Sequence, residues 1–307
     1  MMDFQLTTPV VFIIFNRPDF TRKIFVEIRK VRPRQLFVIA DGYRENKDGE
    51  MEKCAEVRKI IEEVDWNCEV STNFSDIHLG CGKRISSGLD WVFARVEEAI
   101  ILEDDCLPDA TFFYFCQELL NKYRYDTRVA SISGNNFQFG YHQIPCSYYF
   151  SRYFHMWGWA TWRRVWKQYD FDMSLWPEVR DSQWLFDFFA SVEVQEDEEQ
   201  RKIKVLGGSS AIESWYGKFE STYTRLVDTW DYQFFLCCLL QNGLQAIPNV
   251  NLVSNIGFNV EATHTINVNS RLANVPAETM EFPLKHPRFV FCNIRADEYI
   301  QWHLFYN

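Results

Sequence analysis

The sequence predicts an α/β fold: a mostly parallel central sheet flanked by helices, with an irregular second half. Two observations predict it. Short apolar runs alternate with helix-like stretches through the first third of the 307-residue chain. Polar or acidic residues also stand at the carboxyl ends of three of those runs, where open α/β sheets bind ligands.

The first run, Pro9 to Phe15, is continuous and rich in β-branched and aromatic residues, as suits a strand buried on both faces. Asn16-Arg17-Pro18-Asp19 breaks it, and Asp19 is placed to cap a helix from Phe20 to about Lys30. Leu36 to Ala40 reads as a second strand closed by Asp41-Gly42, residues 50 to 64 as a helix, and Cys68 to Ser71 as a short third strand. The turn Leu79-Gly80-Cys81-Gly82 opens a helix with Ile85, Leu89, Val92, Phe93 and Val96 on one side. Ala99 to Leu102 is the next strand, and it runs into Glu103-Asp104-Asp105.

Beyond it, residues 111 to 125 read as an aromatic helix and Val129 to Gly134 as a strand. In the cluster Trp157 to Trp166, Trp162 and Trp166 are spaced as one helical turn in the core, while Trp157 and Trp159 flank a glycine where a ring can face a sugar. Arg163-Arg164 suits either a phosphate or surface acids. Glu193 to Lys204 reads as a solvated helix or loop, and Gly207 to Ser210 as a flexible joint. Trp230 to Leu240 reads as a helix ending near Gly243, Leu252 to Asn255 as a strand, and Arg295 to Asn307 as a last helix. There is no internal repeat or low-complexity linker, so a single domain over 1–307 is expected.

A formal net charge of −10 lacks the footprint of a nucleic-acid or anionic-membrane binder. The nine cysteines fit neither a zinc framework nor a disulfide scaffold. No export signal opens the sequence and no apolar run reaches the roughly 18 residues of a spanning helix. A cytoplasmic location is the expectation.

Three adjacent acids at a strand end raise one another's pKa, and a divalent cation such as Mn²⁺ or Mg²⁺ would relieve the repulsion. A helix N-terminus accounts for the same acids through its dipole, and Pro108-Asp109 suits such a cap. Lys83 and Arg84, after Gly80-Cys81-Gly82, suit a diphosphate together with the backbone N–H groups there. Asp41-Gly42 also reads as an ordinary turn, and Asp231 as a first-turn helix acid.

The segment Ala99 to Asp109, followed by Phe112-Phe113-Tyr114-Phe115, resembles the metal-binding segment of GT-A fold glycosyltransferases. The likeness is to the N-acetylglucosaminyltransferase I group and its bacterial nucleotide-diphospho-sugar transferase relatives, over residues 9 to about 136. The resemblance implies that Asp105 ligates a Mn²⁺ or Mg²⁺ bridging the diphosphate, that Asp104 contacts ribose or sugar, and that Glu103 belongs to the same site. It implies that Asn16 and Arg17 frame the nucleotide, that Asp41 meets a uracil, and that His264 completes the metal shell, with His286 a weaker candidate. Trp230-Asp231 resembles the pair carrying the catalytic base, with Asp228 as the fallback.

The implied activity is inverting transfer from a nucleotide-diphosphate sugar, UDP-linked, to a hydroxyl acceptor such as a glycan. Residues 1–136 would bind the donor and 137–307 the acceptor. A sugar nucleotidyltransferase would carry a glycine-rich basic loop where this chain has Phe15-Asn16-Arg17-Pro18. A non-catalytic sugar-binding descendant would not need both the acidic triplet and Asp231. Donor sugar, acceptor, linkage and oligomeric state leave no mark in the sequence, and a retaining outcome stays open beside the inverting one because fold does not fix stereochemistry.

Overall fold

A computed structural model of the chain describes residues 5–141, 144–182, 184–189, 191–195, 202–206, 209–258 and 270–305. Strand β1 (Val10–Ile14) is buried at every position, as its unbroken apolar run requires. Helix α1 (Pro18–Val31) follows, and it starts earlier than expected: Arg17, not Asp19, is the N-cap residue. Pro18 explains this, because the first helical position loses nothing by lacking an N–H. Strand β2 (Gln35–Ala40), helix α2 (Glu50–Ile61), strand β3 (Glu69–Phe74), helix α3 (Cys81–Phe93) and strand β4 (Glu98–Glu103) complete the first half. Strand β3 runs three residues past its expected end and pairs with β2 through Ala40 opposite Phe74. Its polar Ser71-Thr72-Asn73 are tolerated because β3 is an edge strand.

In the second half, β5 (Cys106–Pro108) leads to α4 (Ala110–Tyr123), where Asp109 is the N-cap and accepts from the Thr111 N–H at 2.8 Å. Next come β6 (Val129–Ser133), β7 (Tyr148–Ser151), β8 (Trp159–Trp162) and α5 (Arg163–Trp166). Then follow α6 (Trp176–Arg180), α7 (Trp184–Phe189), β9 (Ser191–Gln195), β10 (Lys202–Leu206) and α8 (Ser209–Tyr223). The chain continues with α9 (Asp231–Leu240), β11 (Leu244–Pro248), β12 (Val253–Asn255) and α10 (Ile294–Phe305).

Eight strands form one sheet in the order β3-β2-β1-β4-β8-β6-β11-β7. Strands β3, β2, β1 and β4 are mutually parallel, and β6 pairs in parallel with β11. Strand β8 is antiparallel to both β4 and β6, and β7 is antiparallel to β11. Helix α1 packs against α2 and α4, whereas α3 packs against β2 and α5. The architecture is therefore α/β with a mostly parallel sheet between helices.

Three expectations need correction. Trp162 ends a buried strand rather than standing a helical turn from Trp166, although both rings are in the core. The charged stretch 193–204 belongs, in its described parts, to the antiparallel pair β9 and β10, with Val194 opposite Ile203 and Glu193 opposite Lys204, while 196–201 lie outside the described residues. Its alternating Val and Ile carried a period of two that the charge density hid. Ser209-Ser210 opens α8, whereas Gly207-Gly208 of the expected joint lie outside the described residues.

The aromatic richness goes mainly to packing. One core surrounds the sheet, and a second gathers Trp176, Phe189, Trp215, Phe219, Phe235 and Leu239. No helix among the described residues is long and apolar enough to cross a membrane.

Helix α3 sits close on β2: a Cβ at Gly88 would come within 2.7 Å of the Ile39 side chain. Gly88→Val is expected to lower the unfolding free energy by about 1–3 kcal/mol through overpacking, read from a urea melt at unchanged m value.

Candidate functional site

The strand order reverses direction at β1. Strands β2 and β3 build outward on one side, while β4 joins on the other. Such a switch point opens a crevice beyond the carboxyl ends of the two central strands. The register places Glu103 beside Ile13, so the acids after β4 meet the segment after β1.

Asp104 is almost wholly buried at 2% exposure. Its Oδ2 accepts from the Phe15 N–H at 3.2 Å, and its Oδ1 pairs with Arg17 Nη2 at 2.7 Å. The other arm of the same guanidinium reaches Asp105 Oδ2 at 2.9 Å. Arg17 thus forks across two adjacent acids. Burial pushes the Asp104 carboxyl up to about 6, against the pull of Arg17. Glu103 lies well above the ordinary carboxylate range, first through burial and then through Asp105, Asp231 and Asp104. The Arg17 guanidinium is raised by Asp104 and Asp105 although burial opposes it.

Strand β12 pairs with β5 and backs the acids, with the Ile256 N–H donating to the Asp105 carbonyl at 2.9 Å. Gly257 fits there because a Cβ would collide with the Asp105 carboxylate.

A cleft of ≈ 620 Å³ opens in front of this turn, lined among others by Arg17, Glu103, Asp105, Trp157, Lys218 and Asp231. Asp231 is the first residue of α9, and its Oδ1 accepts from the Thr229 hydroxyl and from the Tyr232 N–H at 3.0 Å. Of the two tryptophans flanking Gly158, only Trp157 lines the cleft; Trp159 is buried and stacks on Trp230. Lys218 was not visible as a site residue because α8 was not read as a helix. The signal was present: Ala211, Trp215, Phe219 and Thr222 recur at helical spacing and are buried.

Other expected residues lie elsewhere or are already engaged. The Asp41 carboxylate accepts from the N–H groups of Gly42 at 2.9 Å, Leu79 at 2.9 Å and Gly80 at 3.0 Å, so it anchors the loop before α3. Asn16 donates to Glu50 Oε1 at 2.8 Å. Lys83 is exposed, and neither it nor Arg84 lines the cleft. Arg84 is buried and donates to Asn73 Oδ1 at 2.6 Å.

The N-terminus of α3, expected to hold a diphosphate, is capped from within the chain. Asp228 accepts from the N–H groups of Cys81 at 2.8 Å and Gly82 at 2.9 Å. Asp228, the fallback base, is thus engaged at the start of α3 and is not among the residues that line the cleft. Gly80 adopts φ 84°, and a Cβ there would collide with Asp228.

His264 lies outside the described residues. His286 stands away from the cleft, bonded to the Tyr148 hydroxyl at 2.9 Å and paired with Glu118 at 3.2 Å. Arg163 pairs with Glu97, and Arg164 donates to the carbonyls of Arg124, Tyr123, Asp126 and Val129 around the end of α4. All nine cysteines are unpaired thiols.

Among the described residues, no group of three or more His, Cys, Asp or Glu side chains could hold a metal ion unaided. A cation bound together with a diphosphate needs only one or two protein carboxylates. The acid crowding at Glu103, which the single guanidinium does not relieve, is the environment such a cation would ease. The residues present fit a metal carried with its phosphates, held by Asp105 with Glu103 beside it.

No family model and no curated protein matches the chain. Among solved structures it is similar to residues 1–349 of TarS from S. aureus, at 10% identity and TM-score 0.38, over 54% of this chain and 50% of that one. It is also similar to a UDP-glucose pyrophosphorylase complexed with UDP-glucose, at 10% identity and TM-score 0.31, over 53% of this chain and 78% of that one. An active-site mutant of LgtC is similar at 12% identity and TM-score 0.34, over 57% of this chain and 65% of that one. The chain thus spans half the length of the TarS fragment. Likeness at this level carries no argument about activity.

Burial pulls the Glu50 carboxyl up, but Arg44 and Asn16 hold it down to about 2. A depressed folded value gives stability that is full above the unfolded value of about 4.3 and lost as pH falls toward 2. Glu50→Gln is therefore expected to cost about 1–2 kcal/mol at pH 7, with the two denaturation curves converging near pH 2. Asp228→Ala should uncap α3 at a cost of about 1–2 kcal/mol, seen in the same melts.

Proposed function

We propose that this chain is a nucleotide-diphospho-sugar glycosyltransferase. In this reading it moves a hexosyl or N-acetylhexosaminyl group from a UDP-sugar to a hydroxyl acceptor such as a glycan, with inversion and with Mn²⁺ or Mg²⁺. One observation carries the reading: Asp105 and Arg17, at the switch point of a parallel sheet, line the same ≈ 620 Å³ cleft as Asp231 from a distant helix. Anion-binding charge and a carboxylate base are the two elements that glycosyl displacement needs on opposite sides of an anomeric carbon.

Residues 1–136 then form the donor half and 137–307 the acceptor half. Arg17 places a guanidinium at the strand ends, where the diphosphate would lie, and Asp104 beneath it fixes the orientation of that fork. Asp105 with Glu103 would hold the metal, whose bound charge stabilises the departing nucleoside diphosphate. Asp231 takes the proton from the acceptor hydroxyl as that oxygen attacks the anomeric carbon. Its Oδ1 is fixed by Thr229 and by the start of α9, which orients the carboxylate. Trp157 offers an aromatic edge of the cleft against which a sugar ring can stack.

Calorimetry with UDP, with and without Mn²⁺, separates the reading from a fold without chemistry. Metal-dependent UDP binding is expected, and Asp105→Asn should abolish it while the protein stays folded. Asp231→Asn should leave UDP binding intact and lower kcat by roughly 10²–10⁴-fold. Failure of the folded wild type to bind UDP with Mn²⁺ would overturn the donor assignment. Full turnover in Asp231→Asn would overturn the base.

A further inference from the structure

Residues 285–295 form an outward-facing strip beside β7, the last strand of the sheet. Backbone contacts fix it at both ends. The Ser147 N–H donates to the Lys285 carbonyl at 2.8 Å, and the Lys285 N–H donates to Ser147 Oγ at 2.8 Å. Further along, Cys292 bridges Phe150 in parallel, and the Asn293 N–H donates to the Phe150 carbonyl at 2.7 Å. Between these ties the side chains alternate, as in an extended segment. Val290 and Cys292 pack against the main core, whereas Phe289 and Phe291 are 60% and 64% exposed. Ile294, at the start of α10, is 61% exposed. Large apolar side chains thus face outward where a half-buried segment ordinarily places polar ones. A groove of ≈ 240 Å³, lined among others by Ile144, Pro145, Tyr149, Phe289 and Phe291, adds apolar surface beside them.

The charges of the strip are as one-sided as its rings. Residues 282 to 296 contain Lys285, Arg288 and Arg295 and no acid, in a chain of net charge −10. All three cations are exposed, and the nearest exposed acids along the chain, Glu281 and Glu298, stand outside the stretch at either end. Asp297 is buried and engaged by Ser151 and Arg152. Among the described residues no acid pairs with any of the three cations; Glu118 instead meets His286 at 3.2 Å. Arg288 lies over the Phe289 ring, 5.2 Å from its centroid, so charge and aromatic face are presented together.

A second copy docked on this strip through a two-fold axis would set its cations against their own counterparts. A bilayer interface supplies both kinds of partner: the acyl boundary takes the apolar side chains, and anionic headgroups take lysine and arginine. The acids elsewhere on the chain are screened beyond a Debye length of about 8 Å, so the local charge governs the contact.

We infer that this strip docks the protein on an anionic lipid surface. Phe289, Phe291 and Ile294 enter the interface while Lys285, Arg288 and Arg295 meet headgroup phosphates. The backbone ties to β7 hold the rings outward before contact, so little ordering accompanies docking. The inference stands apart from the glycosyltransferase reading, since none of these residues lines the cleft.

Sedimentation of the full chain with vesicles tests it, using phosphatidylcholine alone and phosphatidylcholine mixed with phosphatidylglycerol. Binding is expected to the mixed vesicles only, and it should weaken as salt is added. Phe289→Ser combined with Phe291→Ser should lower the partition coefficient about 10- to 100-fold. Lys285→Gln combined with Arg288→Gln should lower it about 10- to 30-fold. All four side chains are exposed, so urea melts of both variants should overlay that of the wild type, which separates lost docking from lost fold.

Three results would overturn the inference: folded wild-type protein that leaves the mixed vesicles unbound, equal binding to neutral vesicles, or wild-type binding by the paired Phe variant. Light scattering without lipid adds a fourth. A dimer that the two Phe substitutions dissolve would assign the strip to a second copy instead.

Discussion

The fork from Arg17 to Asp104 and Asp105 is the contact on which the strand-end crevice depends. Two of the three acids at the end of β4 are tied by it to the start of α1, and the Phe15 N–H adds a third tie. A pair of neighbouring carboxylates at a buried strand end would repel and take up protons without a cation between them. The guanidinium lets Asp104 be buried, and through it the turn after β4 is fixed against the end of β1. Its planar fork matters, because a lysine ammonium cannot satisfy two carboxylates in one plane.

The second half of the chain is built around that turn rather than beside it. Strand β12 pairs with β5 immediately after the acids, and Gly257 leaves room for the Asp105 carboxylate. Asp228 crosses to cap α3, the helix that rests on β2. Strand β8 is inserted next to β4 and links the parallel half of the sheet to β6. The segment that leads into Asp231 is thus tied to the start of α3 through Asp228. A shift in either half would move the cleft's two charged sides relative to each other.

Much of this was legible in the sequence, because the strongest signals were local. The apolar runs of β1, β2 and β4 and the acids after β4 can be read residue by residue, and so can the period of α4. Arg17, Glu103, Asp105, Asp231 and Trp157 are found together in one cleft. What failed was long-range. Nothing near Gly80 announces that a carboxylate from Asp228 will satisfy its helix start, so a chain-internal cap looked like an anion site. The amides of Leu79 and Gly80 that the Asp41 carboxylate holds are likewise distant in sequence. Arg84, expected beside a diphosphate, donates to Asn73 on β3 and does not line the cleft. Local propensity also misled at Trp162, where helical spacing between two tryptophans arose from a strand followed by a short helix.

The unresolved tension in the cleft is electrical, and it bears on function. Glu103, Asp105, Glu213 and Asp231 line it together with Lys218 and with Arg17, whose two arms are already committed to Asp104 and Asp105. Desolvation first, and then Asp105, Asp231 and Asp104, hold the Glu103 carboxyl well above its ordinary range. An amide side chain in place of Glu103 would remove part of this repulsion, since like charges at close range disfavour one another's ionised form. Local rules that a sequence violates without internal compensation mark places where something outside the chain completes the balance. The deficit here is positive charge, at strand ends already shaped as a crevice. Positive charge brought to these strand ends would ease the crowding among the acids.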